Sequence, residues 1–374
     1  MTQRAFVDQS KYWVIFDTCP RPEYYLDVHN ILAAPPGWVL RYEYRDKYVA
    51  PAALQVMNAD DDLPDRILFG YTQPLTYARG GGALKETPGF DAMMWVPTRL
   101  GRMLNIVERA GQFFFDFEVL GYPMPGVAAT DIFRSLYGAH ETPFWKWVTF
   151  LNRLGEFEAL STGSSDDNWE AIVEQLDRPP SQFAGDVFWR LLGLKRSRHS
   201  EVIAPKQLVE AQAQETRQVK AYYPVRDALN YSIEITTKRS PEKRGGGPPL
   251  PYVIQGESDD RDIMRVVGDG RIDARQYTSA HLELETKGLT WPKPRVVELS
   301  LVTEPKDGDW SQGPQTRLRV EVTKRPVSIL LALVALALGG LIGSSAGWTT
   351  PLGVIASGLL TILGATLWTG KFTK

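Results

Sequence analysis

The stretch LIGSSAGWTTPLG, residues 341–353, lies inside a long uncharged segment: no charged residue stands between Arg325 and Lys371. Before it, residues 327–347 read VSILLALVALALGGLIGSSAG, and after it, residues 352–369 read LGVIASGLLTILGATLWT. At about 1.5 Å per residue each run reaches the ~30 Å of a bilayer's hydrocarbon core. Gly347 to Pro351 form the turn, with Pro351 suited to the first turn of a helix. Trp348 and Trp368 fall at opposite ends, where indoles favour a membrane interface. The reading is a C-terminal two-helix transmembrane hairpin over 326–370.

Charge then sets the expected orientation. Lys324 and Arg325 precede the first run, Lys371 and Lys374 follow the second, and the turn carries no charge. The positive-inside rule places both ends on the cytoplasmic side. The expected location is a bacterial inner membrane, crossed twice, with the N-terminal body and the C-terminus in the cytoplasm and the lipid bilayer as a partner. Gly339, Gly343 and Gly347 on the first run, and Gly353, Ser357 and Thr361 on the second, recur at the spacing that lets helix backbones approach. Such a stripe either packs the hairpin on itself or joins several hairpins into a homo-oligomer.

Outward from the hairpin, the remaining chain is polar and divides into three regions. Residues 1–126 read as a β-rich domain of short aromatic and β-branched runs bounded by Pro, Gly and Asp. In QFFFDFEVL, Phe113, Phe115, Phe117 and Val119 share one face while Asp116 and Glu118 share the other, the pattern of a half-buried strand. Several such strands with polar turns predict a small barrel or strongly bent sheet. Residues 127–214 change to helical spacing in TDIFRSLYGAH, PFWKWVTFLNRLGEFEAL, NWEAIVEQLD and SQFAGDVFWRLLG, with Ser181 as an N-cap and Gly193 as a C-terminal stop. Residues 215–325 return to alternation: Tyr231, Ile233 and Ile235, then Ala280, Leu282 and Leu284, then Val297, Leu299 and Leu301, then Leu318, Val320 and Val322. Four strands of that kind predict an antiparallel β-sandwich. The expected fold class is therefore α+β.

Composition narrows the function. The 374 residues carry 42 basic and 44 acidic side chains, a net charge of −2, which gives no general attraction to nucleic acid or anionic lipid. The single cysteine, Cys19, excludes an intramolecular disulfide framework and fits a reducing compartment. The N-terminus has no apolar run of signal-peptide length. His29, His140, His199 and His281 are dispersed, without the close spacing of a metal-binding pair. The glycines at 80–82 with Lys85 lack the spacer and the Gly-Lys-Ser/Thr ending of a phosphate loop. Asp60, Asp61 and Asp62 read as a solvated loop, and Asp116 with Glu118 makes an incomplete cation site. No catalytic constellation, metal or cofactor is expected.

One surface motif remains. In RYEYRDKYV, Arg41 and Arg45 share a strand face with Glu43, Tyr42 and Tyr44 share the opposite one, and Lys47 follows. Basic residues interleaved with aromatics can hold phosphate and stack a base, and Arg99 and Arg102 extend the patch if their strands adjoin. Tyrosines facing a core with arginines snorkelling above it give the same pattern. Lys195, Arg196 and Arg198 in LKRSRHS form a second basic site, just past an expected helix end.

The expected function is a membrane-anchored, non-enzymatic effector. Its body senses a protein partner or ligand, and its hairpins oligomerise to perturb the membrane. By architectural analogy alone this points to bacterial anti-phage defence. The alternative is a passively anchored scaffold or a recognition module for nucleic acid or protein.

Overall fold

The computed structural model describes residues 12–18, 22–51, 53, 66–74, 93–125, 148–152, 160–176, 187–197, 199–211, 217–239, 252–273, 279–289, 293–305, 315–345 and 351–369. These residues form a strand-dominated α+β protein with three sheets. Cys19, His140, the acidic loop at 60–62, the glycine stretch with Lys85, the helical reading at 130–140, Gly347 and the residues after Thr369 lie outside the described set.

The first sheet takes β1 (Tyr12–Thr18), β2 (Val39–Arg45), β3 (Arg66–Pro74), β4 (Met93–Arg109), β5 (Gln112–Val119) and β6 (Val148–Asn152). Their order is β2-β5-β4-β3-β1-β6, with β1 and β3 parallel and the other pairs antiparallel. Helix α1 (Pro22–Ala33) follows β1. The β4–β5 hairpin turns on Ala110 (φ 50°) and Gly111 (φ 74°), two left-handed residues whose twist matches that of the flanking strands. Register shifts after Phe69 and after Met103 mark bulges along β4, and bulges of this kind bend a strand.

The inner face of this sheet is aromatic. Phe16 meets Phe115 edge-on at 5.0 Å, Phe69 lies 4.5 Å from Phe117, and Tyr42 caps both Phe69 and Phe117 edge-on. These are the separations at which ring quadrupoles attract. The expected barrel is not closed: β2 and β6 stand at opposite margins and do not pair. The sheet covers its second face by packing on a neighbouring sheet rather than by rolling up. Trp38 stacks on Tyr223 of that neighbour at 5.3 Å, and Asp116 accepts from the Val219 N–H at 2.9 Å.

The second sheet runs β14-β12-β16-β17-β10-β9 and the third β13-β15-β11-β7-β8. In chain order these strands are β7 (Val187–Arg196), β8 (Val202–Ile203), β9 (Lys206–Ala211), β10 (Arg217–Arg226), β11 (Asn230–Arg239), β12 (Tyr252–Ser258), β13 (Met264–Val266), β14 (Arg271–Asp273), β15 (Ser279–Thr286), β16 (Arg295–Pro305) and β17 (Gln315–Thr323). The four alternating runs read from the sequence become β11, β15, β16 and β17, and their apolar residues are buried, save for a partly buried Ala280. The pairing is not purely antiparallel, because β10 and β17 run parallel.

Two helical readings are overturned. Val148–Asn152, within the first long amphipathic run, is β6 and pairs antiparallel with β1. Val187–Arg196 is β7 and pairs with both β11 and β8. Its pairing with β11 jumps from Gly193 to Leu191, leaving Leu192 as an extra residue, and Gly193 takes φ 129°. That bulge breaks the two-residue period. Phe188, Leu191 and Leu194 then fall three apart, which mimics a helix, while all three are buried. The run NWEAIVEQ is helical, as α2 (Asn168–Gln175), with Trp169, Ile172 and Val173 buried on one face.

After β17 come α3 (Pro326–Ser345) and α4 (Pro351–Thr369), packed together as a hairpin. The membrane expectation is corrected: among the described residues no helix is long and apolar enough to cross a membrane. The two-pass inner-membrane location falls with it. Lys324 and Arg325, taken as cytoplasmic flanking charges, are bonded to the segments that follow β15 and β10: Lys324 Nζ donates to the Leu289 carbonyl at 2.9 Å and Arg325 Nη2 to that of Ala228 at 3.0 Å.

The small residues lie on the seam between the two helices. Ser357 Oγ donates to the Gly339 carbonyl at 3.0 Å, and Thr361 Oγ1 to that of Ser357 at 2.8 Å. A Cβ at Gly339 would come within 3.1 Å of Thr361 Oγ1, and one at Gly364 within 2.9 Å of Leu336. The backbones of Gly343 and Gly353 are helical. Leu330, Leu341 and Leu359 point outward and are exposed.

Helix α1 carries two groups that titrate in opposite senses. His29 is buried and stacks on Phe188 at 4.3 Å, and burial pushes its pKa down from 6.5 to about 3. Asp27 is largely buried, and desolvation raises its pKa from 3.8 to about 6. As pH falls below 6.5 the unfolded chain takes up a proton that folded His29 refuses, so stability falls. As pH falls through 6 the folded chain protonates Asp27 first, so stability rises until the unfolded carboxyl also titrates near 3.8. The two slopes, each about 1.4 kcal/mol per pH unit, oppose each other between about pH 4 and about pH 6. His29→Phe is expected to turn the slope toward greater stability at lower pH, and Asp27→Asn toward lower stability. Urea midpoints across that window check this, and equal slopes in the two variants would refute it.

Candidate ligand cleft and the basic face

One row of paired residues crosses five strands of the first sheet. Trp13 on β1 pairs with Arg66 on β3, Arg66 with Arg102 on β4, Arg102 with Glu118 on β5, and Glu118 with Val39 on β2. Directly paired residues project from the same face. The Arg66 guanidinium lies over the Trp13 ring, 5.6 Å from its centre, and Arg102 forms an ion pair with Glu118.

Beside this row opens a cleft of about 370 Å³, lined by Trp13, Arg66, Leu100, Leu120, Ser161 and Thr162 among others. Leu100 and Leu120 are held across from one another by the Leu120 N–H donating to the Leu100 carbonyl at 2.8 Å. The segment carrying Ser161 and Thr162 is pinned to the end of β5. Met124 N–H donates to the Leu160 carbonyl at 3.1 Å, Ser165 N–H to that of Tyr122 at 3.3 Å, and Asn168 Nδ2 to that of Gly163 at 2.7 Å. The lining thus combines apolar walls with two hydroxyl-bearing residues and one cationic residue.

On the opposite face, at the junction with α2 and β7, lies a buried cationic cluster. Arg99 is wholly buried, with its guanidinium 3.8 Å above the Tyr122 ring and Nη2 donating to the Ala34 carbonyl at 3.0 Å. Burial holds its pKa below the ordinary arginine value. Desolvation raises that of Tyr122, whose hydroxyl donates to the Leu32 carbonyl at 2.7 Å. Arg190 approaches the same ring and that of Trp169, and its Nη1 donates to the Asp166 carbonyl at 2.6 Å.

The structure separates the basic residues singled out from the sequence. Arg41 is bound by both oxygens of Asp116, at 2.6 and 2.8 Å. Tyr42 faces the core and donates to the Asp27 carbonyl at 3.3 Å, and burial pushes its pKa well up. Arg45 and Lys47 are exposed at one end of β2, Lys47 over the Tyr48 ring at 4.8 Å. Arg102 stands at the other end, and Arg99 is inside. Arg45 pairs with Gln112 while Arg102 pairs with Glu118, six residues along β5, a separation of about 20 Å. The row at the cleft therefore unites Arg102 with Arg66 and Trp13. Both were missed because they become neighbours only through strand register.

Elsewhere, Asp116 carries four donors: two from Arg41, Asn105 Nδ2 at 3.0 Å and the Val219 N–H. Glu118 is held by Arg102. Lys195 pairs with Glu234 at 2.5 Å on β7, so the second basic site belongs to a strand rather than a helix end. His199 and His281 are exposed. No family model and no curated protein matches this chain.

Proposed function

We propose that the protein is a non-enzymatic recognition module. In this reading the second and third sheets pack face to face as a β-sandwich that carries the open first sheet, and the cleft beside Trp13 and Arg66 holds the recognised group. Contact between Gly256 of β12 and Leu282 of β15, where a Cβ would come within 2.5 Å of the leucine, supports face-to-face packing. The observation that carries the function is the cleft itself: about 370 Å³ of preformed, mostly apolar space with Arg66 and two hydroxyls in its lining. It follows the recognition alternative, and the membrane-perturbing reading is not carried forward.

The test is a fragment library screened by saturation-transfer NMR against the full chain and against Leu120→Trp. Leu120 is partly exposed at the cleft, so the larger ring occupies the mouth without entering the core. A subset of fragments is expected to bind wild type and to be lost in the variant, with the unfolding midpoint unchanged. Identical hits on both proteins, or no hits at all, would sink the reading.

A further inference from the structure

The outer surface of the α3–α4 hairpin is apolar and exposed. Leu330, Leu333, Val334, Leu338, Ile355 and Leu359 are 45–62 % exposed. With their apolar neighbours they leave on the order of 1,000 Å² of apolar surface in water, above the ~800 Å² that each partner brings to a stable interface. That is more than a monomeric protein usually leaves uncovered. Neither helix contains a charged residue, so the surface has no charge to complement a polar partner. A second hairpin of the same chain is a partner with the matching chemistry.

The two sides of the hairpin differ. Gly339 lies against Ser357 and Thr361, and Gly364 against Ala332 and Leu336, so the helices run antiparallel. An antiparallel pair has an approximate two-fold axis normal to its plane, and positions one residue beyond the seam on each helix therefore turn to the same side. Gly340 follows Gly339 and Gly358 follows Ser357, which sets both on one side of the hairpin at a similar height. A Cβ at either would meet nothing within 4 Å. Glycine is the poorest helix former after proline, and nothing within the hairpin crowds these two positions. Small residues side by side on a helix pair let another helix backbone approach closely. Leu331, one residue before the seam residue Ala332, stands on the opposite side.

We propose that the side carrying Gly340 and Gly358 docks a second copy of the chain, giving a closed two-fold dimer in which four helices share the interface. Such a contact sets one patch against itself, so the glycine pair of each copy meets that of the other.

Sedimentation velocity of the full chain over a range of concentrations tests this, with twice the chain mass expected at the upper end. Gly340→Leu with Gly358→Leu places side chains in open space, so circular dichroism is expected to show the native fold. The dimer is expected to weaken at least about tenfold, the effect of overpacking a close contact. Gly340→Ala with Gly358→Ala favours the helix and is expected to weaken the dimer in the same direction by less. Leu331→Lys, on the other side, is expected to leave it intact. A single-chain mass at every concentration, or a mass that climbs without limit, would overturn the dimer. So would association that survives both glycine pairs or is lost equally in Leu331→Lys. A single chain that floats with phosphatidylcholine vesicles would assign the surface to lipid and overturn it as well.

Discussion

Asp227→Ala is expected to lower the unfolding free energy by about 3–5 kcal/mol, the cost of removing one partner from a buried ionic cluster. Asp227 is buried where β17 hands over to α3. One carboxylate oxygen accepts from the Arg325 N–H and the other from the Leu289 N–H, both at 2.9 Å, and the Arg325 guanidinium lies 3.9 Å away. Alanine strands two backbone donors and removes an anion that acts on buried Lys324, whose pKa desolvation lowers and Asp227 holds up. Urea denaturation of the full chain reads the loss. In the double variant Asp227→Ala with Lys324→Met the loss is expected to be smaller than the sum of the singles, since methionine removes the stranded charge. A single-variant loss below about 1 kcal/mol would show that these groups rehydrate instead.

The second large effect is at Asp116. Its removal by Asp116→Ala is expected to cost about 3–5 kcal/mol, because the carboxylate is fully buried and accepts from Arg41, Asn105 and the Val219 backbone at once. The Val219 bond joins β5 to β10, so the loss falls on the contact between the first and second sheets. Asp116→Asn keeps the shape and is expected to recover part of the stability, since one amide oxygen still accepts. Arg41→Met combined with Asp116→Ala should cost less than the two singles added. Strict additivity, measured by a double-mutant cycle on chemical denaturation, would refute the pinning role. The same variants bear on Arg41 as a ligand contact: a residue whose Nε and Nη2 are both held by one buried carboxylate is expected to matter for folding before it matters for binding.

Much of the fold was legible because its signal is local. The two-residue alternation in β5, β11, β15, β16 and β17 survives into the structure, since each of these strands has a core face and a wetter one. The tyrosines of β2 also fall on the face that alternation assigned to a core. Where a strand is covered on both faces or bulged, the local signal misleads. Phe188, Trp189, Leu191 and Leu194 lose the alternation of β7 to a bulge at Gly193, and the run was taken for a helix. Asp116, placed on the polar face of β5, is fully buried because β10 covers that face too.

By itself the sequence determined the strand-rich α+β character, the faces of the regular strands, α2, and two apolar helices closing on a seam of small residues. These follow from the spacing of apolar residues and from steric size, which act within a few positions along the chain. Tertiary structure alone decided that the first sheet stays open, that Lys324 and Arg325 bond to the Leu289 and Ala228 carbonyls beside the strands, and that Trp13, Arg66 and Arg102 fall in one row. Each depends on register or on packing between residues far apart in sequence. A one-residue slip in pairing would send those side chains to the opposite face.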